Sequence, residues 1–67
     1  MIETAFGKRV RYLRKLKNMT QEELAFRSHL NKNYICDIEN GRRNVSLRAI
    51  EKVAKGLGVE MDVLFIK

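Results

Sequence analysis

Sixty-seven residues carry 14 Lys+Arg against 8 Asp+Glu, a net charge of +6, with no proline and four glycines. A chain this short makes one domain that buries only about 60% of the surface its unfolded form exposes, so dimerisation is a natural supplement and no separate catalytic or effector-sensing unit fits. The single cysteine, Cys36, excludes an intramolecular disulfide and a multi-cysteine metal site, and no apolar run is long enough to span a membrane; a reduced cytoplasm is the expected compartment.

The charge is unevenly placed. Residues 1–48 hold 11 basic and 5 acidic side chains, whereas residues 49–67 hold 3 of each. Lys8, Arg9, Arg11, Arg14, Lys15 and Lys17 follow one another with no acid among them. A local excess of this kind attracts polyanions, of which nucleic acid is the commonest; a merely solvated helix face is the competing explanation. Within the same segment Ile2, Phe6, Val10, Leu13 and Leu16 recur at helical spacing and predict an amphipathic helix over residues 3–17. Asn18 stands where a left-handed residue ends such a helix, and Met19 is expected to staple the next one to the core.

Residues 20–41 read as two short helices joined by a tight turn. Thr20 and Glu23 have the spacing of a capping box, in which the hydroxyl accepts an amide proton and the glutamate reaches back. Gln21 falls beside the free amides of that first turn, where a phosphate oxygen can be held, although an exposed polar residue without a role is equally simple. Leu24 and Ala25 face inward, and the smallness of Ala25 lets crossing helices approach. His29 occupies the turn, where histidine tolerates positive φ; nothing near it supplies the partners of a metal or catalytic site.

Asn31 can cap the next helix, which runs to about Asn40 and is ended by Gly41. Leu30, Tyr34, Ile35 and Ile38 form its inward side. Lys32, Asn33, Cys36, Asp37 and Asn40 collect on the opposite side. Such hydrogen-bonding groups on the N-terminal half of a helix are what touches base edges when a helix enters the major groove. Lysine donates to guanine, asparagine pairs with adenine, and a carboxylate accepts from cytosine while repelling phosphate. Cys36 reads as a small spacer.

The connector Arg42-Arg43-Asn44 is basic and directly follows the reading helix. Ser46 caps a fourth helix whose buried stripe is expected from Leu47, Ile50, Val53, Ala54 and Leu57. Glu51 and Lys55 have ion-pair spacing on its outer side. Gly56 is expected to cost about 1 kcal/mol relative to alanine, and Gly58 to stop the helix. A short last helix over residues 60–65 supplies Met61, Val63, Leu64 and Phe65, with Ile66 just beyond. No nucleophile–base pair, metal cluster or glycine-rich phosphate loop points to an enzyme.

The blocks TQEELA, LNKNYICDIENGRRNVS and AIEKVAKGLGV, in this order and spacing, closely resemble the Cro/CI-type helix-turn-helix regulators, the xenobiotic-response-element-like family, over residues 6–65. The resemblance implies an all-α fold, a lambda-repressor-like bundle of five helices filling the single domain 1–67, that binds double-stranded operator DNA as a two-fold homodimer. It implies phosphate contacts for Gln21 and Asn40, base reading for Lys32, Asn33, Cys36 and Asp37, and a structural ion pair between Arg14 and Glu39. The family usually has glycine where His29 stands and a polar residue where Val63 stands. Tyr34 and the Arg43-Asn44 pair, in a chain with no further domain, are most similar to controller proteins of restriction–modification systems. That likeness adds Arg43 to the base readers and Tyr34 and Asn44 to the backbone contacts; the basic Arg42 is expected at a phosphate on its charge and place alone. The apolar surface of the last helix, at Met61, Val63, Phe65 and Ile66, is the expected dimer interface, and RNA polymerase is a further expected partner; no cofactor, metal or membrane is expected. Phage-type repressors, antitoxins and protein-interaction modules share most of these residues and are the alternative reading.

Overall fold

A computed structural model describes residues 1–65. It contains four α-helices, α1 (Ile2–Leu16), α2 (Gln21–Ser28), α3 (Lys32–Glu39) and α4 (Leu47–Leu57), followed by a 3₁₀ helix at Met61–Phe65. No strand occurs among the described residues. The expected fifth α-helix is therefore corrected to a 3₁₀ turn. Five residues close too few i→i+4 bonds for an α-helix, and the tighter winding suffices to drive Leu64 into the core at 1% exposure. Ile66 lies outside the described residues.

Local chemistry sets the helix ends. Asn18 is left-handed at φ 58°, and the bonds Asn18 N–H to Lys15 O and Met19 N–H to Arg14 O close a Schellman motif on α1. Thr20 Oγ1 accepts from Glu23 N–H at 3.0 Å, Asn31 Oδ1 from Tyr34 N–H at 2.8 Å and Ser46 Oγ from Ala49 N–H at 3.1 Å. The capping box at Thr20 is only half formed, because the Glu23 carboxylate accepts from Arg27 instead, at 2.9 Å. His29 takes φ 56° in the turn, and Gly41, at φ 72°, ends α3.

Helix α2 packs on α4, and α3 is braced by both α1 and α2; the 3₁₀ helix closes the end of α1 and α4. Phe6, Val10 and Leu13 of α1, Leu24 and Ala25 of α2, and Ile35 and Ile38 of α3 are buried. Ile50, Val53, Ala54 and Leu57 of α4 complete the core. Three expected core residues are outside it: Ile2 is 70% exposed, Leu16 63% and Leu47 79%. At 15 residues α1 is about 22 Å long, whereas the molecule measures 26 × 21 × 20 Å. The core covers its middle turns, from Phe6 to Leu13. Leu47 is the first residue of α4 and sits at its solvent corner. Glu51 and Lys55 are not among the ion pairs of the described residues, which include Arg14–Glu39, Arg27–Glu23 and the two arginines on Asp37.

Two glycines mark the closest helix crossings. A Cβ on Gly7 would overlap the Ile38 carbonyl oxygen and come within 3.0 Å of the Glu39 carbonyl oxygen, so glycine sets the spacing of α1 and α3. A Cβ on Gly56 would overlap Ser28 Oγ and lie 3.2 Å from a Leu24 methyl. The expected gain from alanine at Gly56 is thus opposed by the close approach of α2 and α4, since the added methyl meets Ser28 and Leu24.

Candidate nucleic-acid interface

Helix α3 is anchored through its last residue, Glu39. At its C-terminal end Arg14, buried at 8% exposure, donates from Nε to Glu39 Oε2 at 2.6 Å and from Nη2 to Oε1 at 3.1 Å. The same arginine reaches back from Nη1 to the Met19 carbonyl at 2.7 Å. Gln21 Nε2 also donates to Glu39 Oε1, at 3.1 Å. One carboxylate therefore ties α1, the start of α2 and the end of α3 into a single rigid unit. Gln21 keeps one side-chain N–H and its backbone N–H for an outside acceptor. Because Asn40 directly follows Glu39, the two expected phosphate contacts, Gln21 and Asn40, are brought to one end of α3.

The reading residues occupy the other end. Lys32 and Asn33 are exposed in the first turn and have no side-chain partner among the described residues. An α-helix is about 10–12 Å across with its side chains, which fits a major groove about 12 Å wide, and the outer side of α3 (Lys32–Glu39) is open to such a groove at Lys32 and Asn33. Cys36 is half-buried midway along, and Asn40 Nδ2 donates to its sulfur at 3.4 Å. Asp37 is not free to face a base alone. Its Oδ2 lies 3.5 Å from Arg43 Nε and its Oδ1 lies 3.9 Å from Arg42 Nη1. The Arg43 guanidinium also lies over the Tyr34 ring, 4.6 Å from its centroid. Asn44 is exposed beside it.

The sequence reading missed this Tyr34–Arg43–Asp37 stack. The available signal was the three-residue spacing of Tyr34 and Asp37 on one helix face; the return of Arg43 over that face follows only from the turn at Gly41. Away from α3, the expected dimer residues divide. Met61 and Phe65 are exposed, at 37% and 51%, whereas Val63 is half-buried against the core and its carbonyl accepts from Arg9 Nε at 3.0 Å. The apolar character of Val63 is thus explained within one chain. Leu47, unexpectedly exposed, borders the same shallow cleft as Met61. Phe65 rests on Phe6, with ring centroids 5.4 Å apart.

Among the described residues no group of three or more His, Cys, Asp or Glu side chains is placed to hold a metal, and no helix is long and apolar enough to cross a membrane.

A sequence profile of the helix-turn-helix family matches residues 10–64. Control protein C.BamHI of Bacillus amyloliquefaciens is 55% identical over 60 residues, covering 88% of this chain and 74% of that protein. Control protein C.MunI of a Mycoplasma species is 43% identical over 65 residues, covering 96% of this chain and 88% of its own. Among solved structures, the restriction–modification controller protein C.AhdI from Aeromonas hydrophila superposes with a TM-score of 0.92 at 46% identity, covering 94% of this chain and 96% of that one.

Proposed function

The chain belongs to the Cro/CI-type helix-turn-helix family, and we propose that it is a sequence-specific, duplex-DNA-binding transcriptional regulator, the controller protein of a restriction–modification system. The observation that carries this reading is the placement of Lys32 and Asn33, exposed and without a side-chain partner among the described residues, at the tip of a braced α3, with Gln21 and Asn40 at its other end. The relatives named as control proteins support the narrower assignment.

In this reading affinity and discrimination have separate sources. Gln21, Tyr34, Asn40, Arg42 and Asn44, with the lysines and arginines of α1, contact phosphates and make binding salt-dependent. Lys32, Asn33, Cys36 and Arg43 meet base edges, each good bidentate pair giving about 1–3 kcal/mol of discrimination; Asp37 shares that face. The regulator works as a homodimer in the bacterial cytoplasm on a palindromic operator with half-sites about one helical turn apart. RNA polymerase is the further partner whose access to the promoter it governs. The reading assigns no enzymatic activity and no cofactor.

Selection of bound duplexes from a random library at about 0.15 M salt tests this directly, since affinity depends steeply on salt. A palindromic consensus that recurs beside restriction–modification genes is the expected result. Unselective, salt-sensitive binding would sink it. In the same assay Lys32→Ala is expected to relax preference at one or two positions of each half-site, by roughly 1–3 kcal/mol. Uniformly weaker binding with the consensus unchanged would instead make Lys32 a phosphate contact.

Dimerisation is proposed to cover Met61 and Phe65, with Leu47 beside Met61 and Val63 adjoining. Fully burying each exposed apolar side chain is worth about 1.5–3 kcal/mol. Met61→Glu is therefore expected to turn the sedimenting dimer into monomer while the helical circular dichroism stays unchanged. A dimer of unaltered mass would place the interface elsewhere.

A further inference from the structure

Arg43 has a neighbour on each of two sides. Tyr34 covers one face of its guanidinium at 4.6 Å, and Asp37 Oδ2 engages its Nε edge at 3.5 Å. Tyr34 and Asp37 are three residues apart and so present a common face of α3. An arginine engaged through Nε keeps both terminal Nη groups, which form the fork that matches guanine O6 and N7. Resting on the proposal that this face reads DNA, we infer that Asp37 is a positioning residue for Arg43: its carboxylate aims the arginine fork at a guanine and does not itself read a base.

The same contact separates the correct site from all others. A guanine taken by the two Nη groups leaves the Asp37–Arg43 pair intact. A backbone phosphate away from that direction requires the fork to swing aside, and Asp37 is then left unpaired in the negative field of the duplex. The carboxylate thus supports the intended contact and opposes the unintended ones. Arg42 is the looser partner, at 3.9 Å with its side chain 70% exposed, and is free to leave for a phosphate. Asp37 has 33% side-chain exposure and caps no helix, so its replacement leaves the fold in place.

The test is duplex selection with four purified proteins: wild type, Asp37→Asn, Arg43→Gln and the double variant. Asp37→Asn is expected to relax the same single position of each half-site as Arg43→Gln, lowering preference there by roughly three- to tenfold. The double variant is expected to match Arg43→Gln alone, because without the arginine there is nothing to aim. Binding to an unrelated duplex is expected to tighten in Asp37→Asn by a few-fold only while Arg43 is present. Relaxation at a different position, or effects that add in the double variant, would make Asp37 an independent base reader and overturn the inference. Equal tightening on selected and unrelated duplexes, with or without Arg43, would reduce Asp37 to simple repulsion and overturn it too. If the wild type selects no sequence at all, the DNA-reading proposal itself fails, which is a separate and visible outcome.

Discussion

Glu39→Ala is expected to remove a large part of the folding free energy. Glu39 is 6% exposed and accepts three side-chain hydrogen bonds, two from Arg14 and one from Gln21. Deleting it strands the Arg14 guanidinium, itself only 8% exposed, without its counter-charge. Breaking one side of a buried pair costs about 3–5 kcal/mol, and a domain of this size has a total stability of only about 3–10 kcal/mol. Urea denaturation followed by circular dichroism should show the midpoint falling steeply. Replacing both Arg14 and Glu39 with methionine should recover much of that loss, since no charge is then left buried and unpaired. If Glu39→Ala costs less than about 1 kcal/mol, as an exposed pair would, water reaches the site and the bracing of α3 is weaker than the geometry indicates.

Gly7→Ala comes next in size. Its added methyl meets backbone, namely the carbonyl oxygens of Ile38 and Glu39, and backbone at the end of a braced helix cannot rotate away. The variant must push α1 and α3 apart, opening the Phe6, Val10 and Ile35 packing. Overpacking of this kind costs about 1–3 kcal/mol and more where nothing relaxes, so a loss of about 3 kcal/mol is expected by thermal or urea denaturation. Function should suffer in addition. The displaced α3 carries Lys32 and Asn33, so the fraction that remains folded should bind the selected duplex more weakly. A variant with wild-type stability would mean that α1 slides along α3 without loss, contrary to the bidentate Arg14–Glu39 lock.

Much of the candidate site was legible in the residues. The cap at Asn31, the stop at Gly41 and the inward period of Ile35 and Ile38 place Lys32, Asn33 and Cys36 on the outer side of α3. The Arg14–Glu39 contact, across 25 residues of chain, was accessible only through family likeness and is present in the structure. Less legible was how the polar side chains share partners. Asp37 was read as facing a base and lies between two arginines; Gln21 was read as facing phosphate and is also bonded to Glu39.

The sequence by itself determined where the helices start and stop and which side of each turns inward. Those features depend on hydrogen bonds and side-chain periods that reach no further than about four residues, as at Thr20, Asn31, Ser46 and His29. Tertiary structure alone decided which apolar residues are covered. Ile2, Leu16 and Leu47 satisfy the helical period yet stay mostly in solvent, because each lies at a helix end beyond the packed core. It also decided the roles of Gly7 and Gly56, whose value lies in the backbone or side chain of another helix standing where a Cβ would be. Contacts such as Arg9 to the Val63 carbonyl join residues 54 positions apart, and no local pattern encodes a partner at that distance.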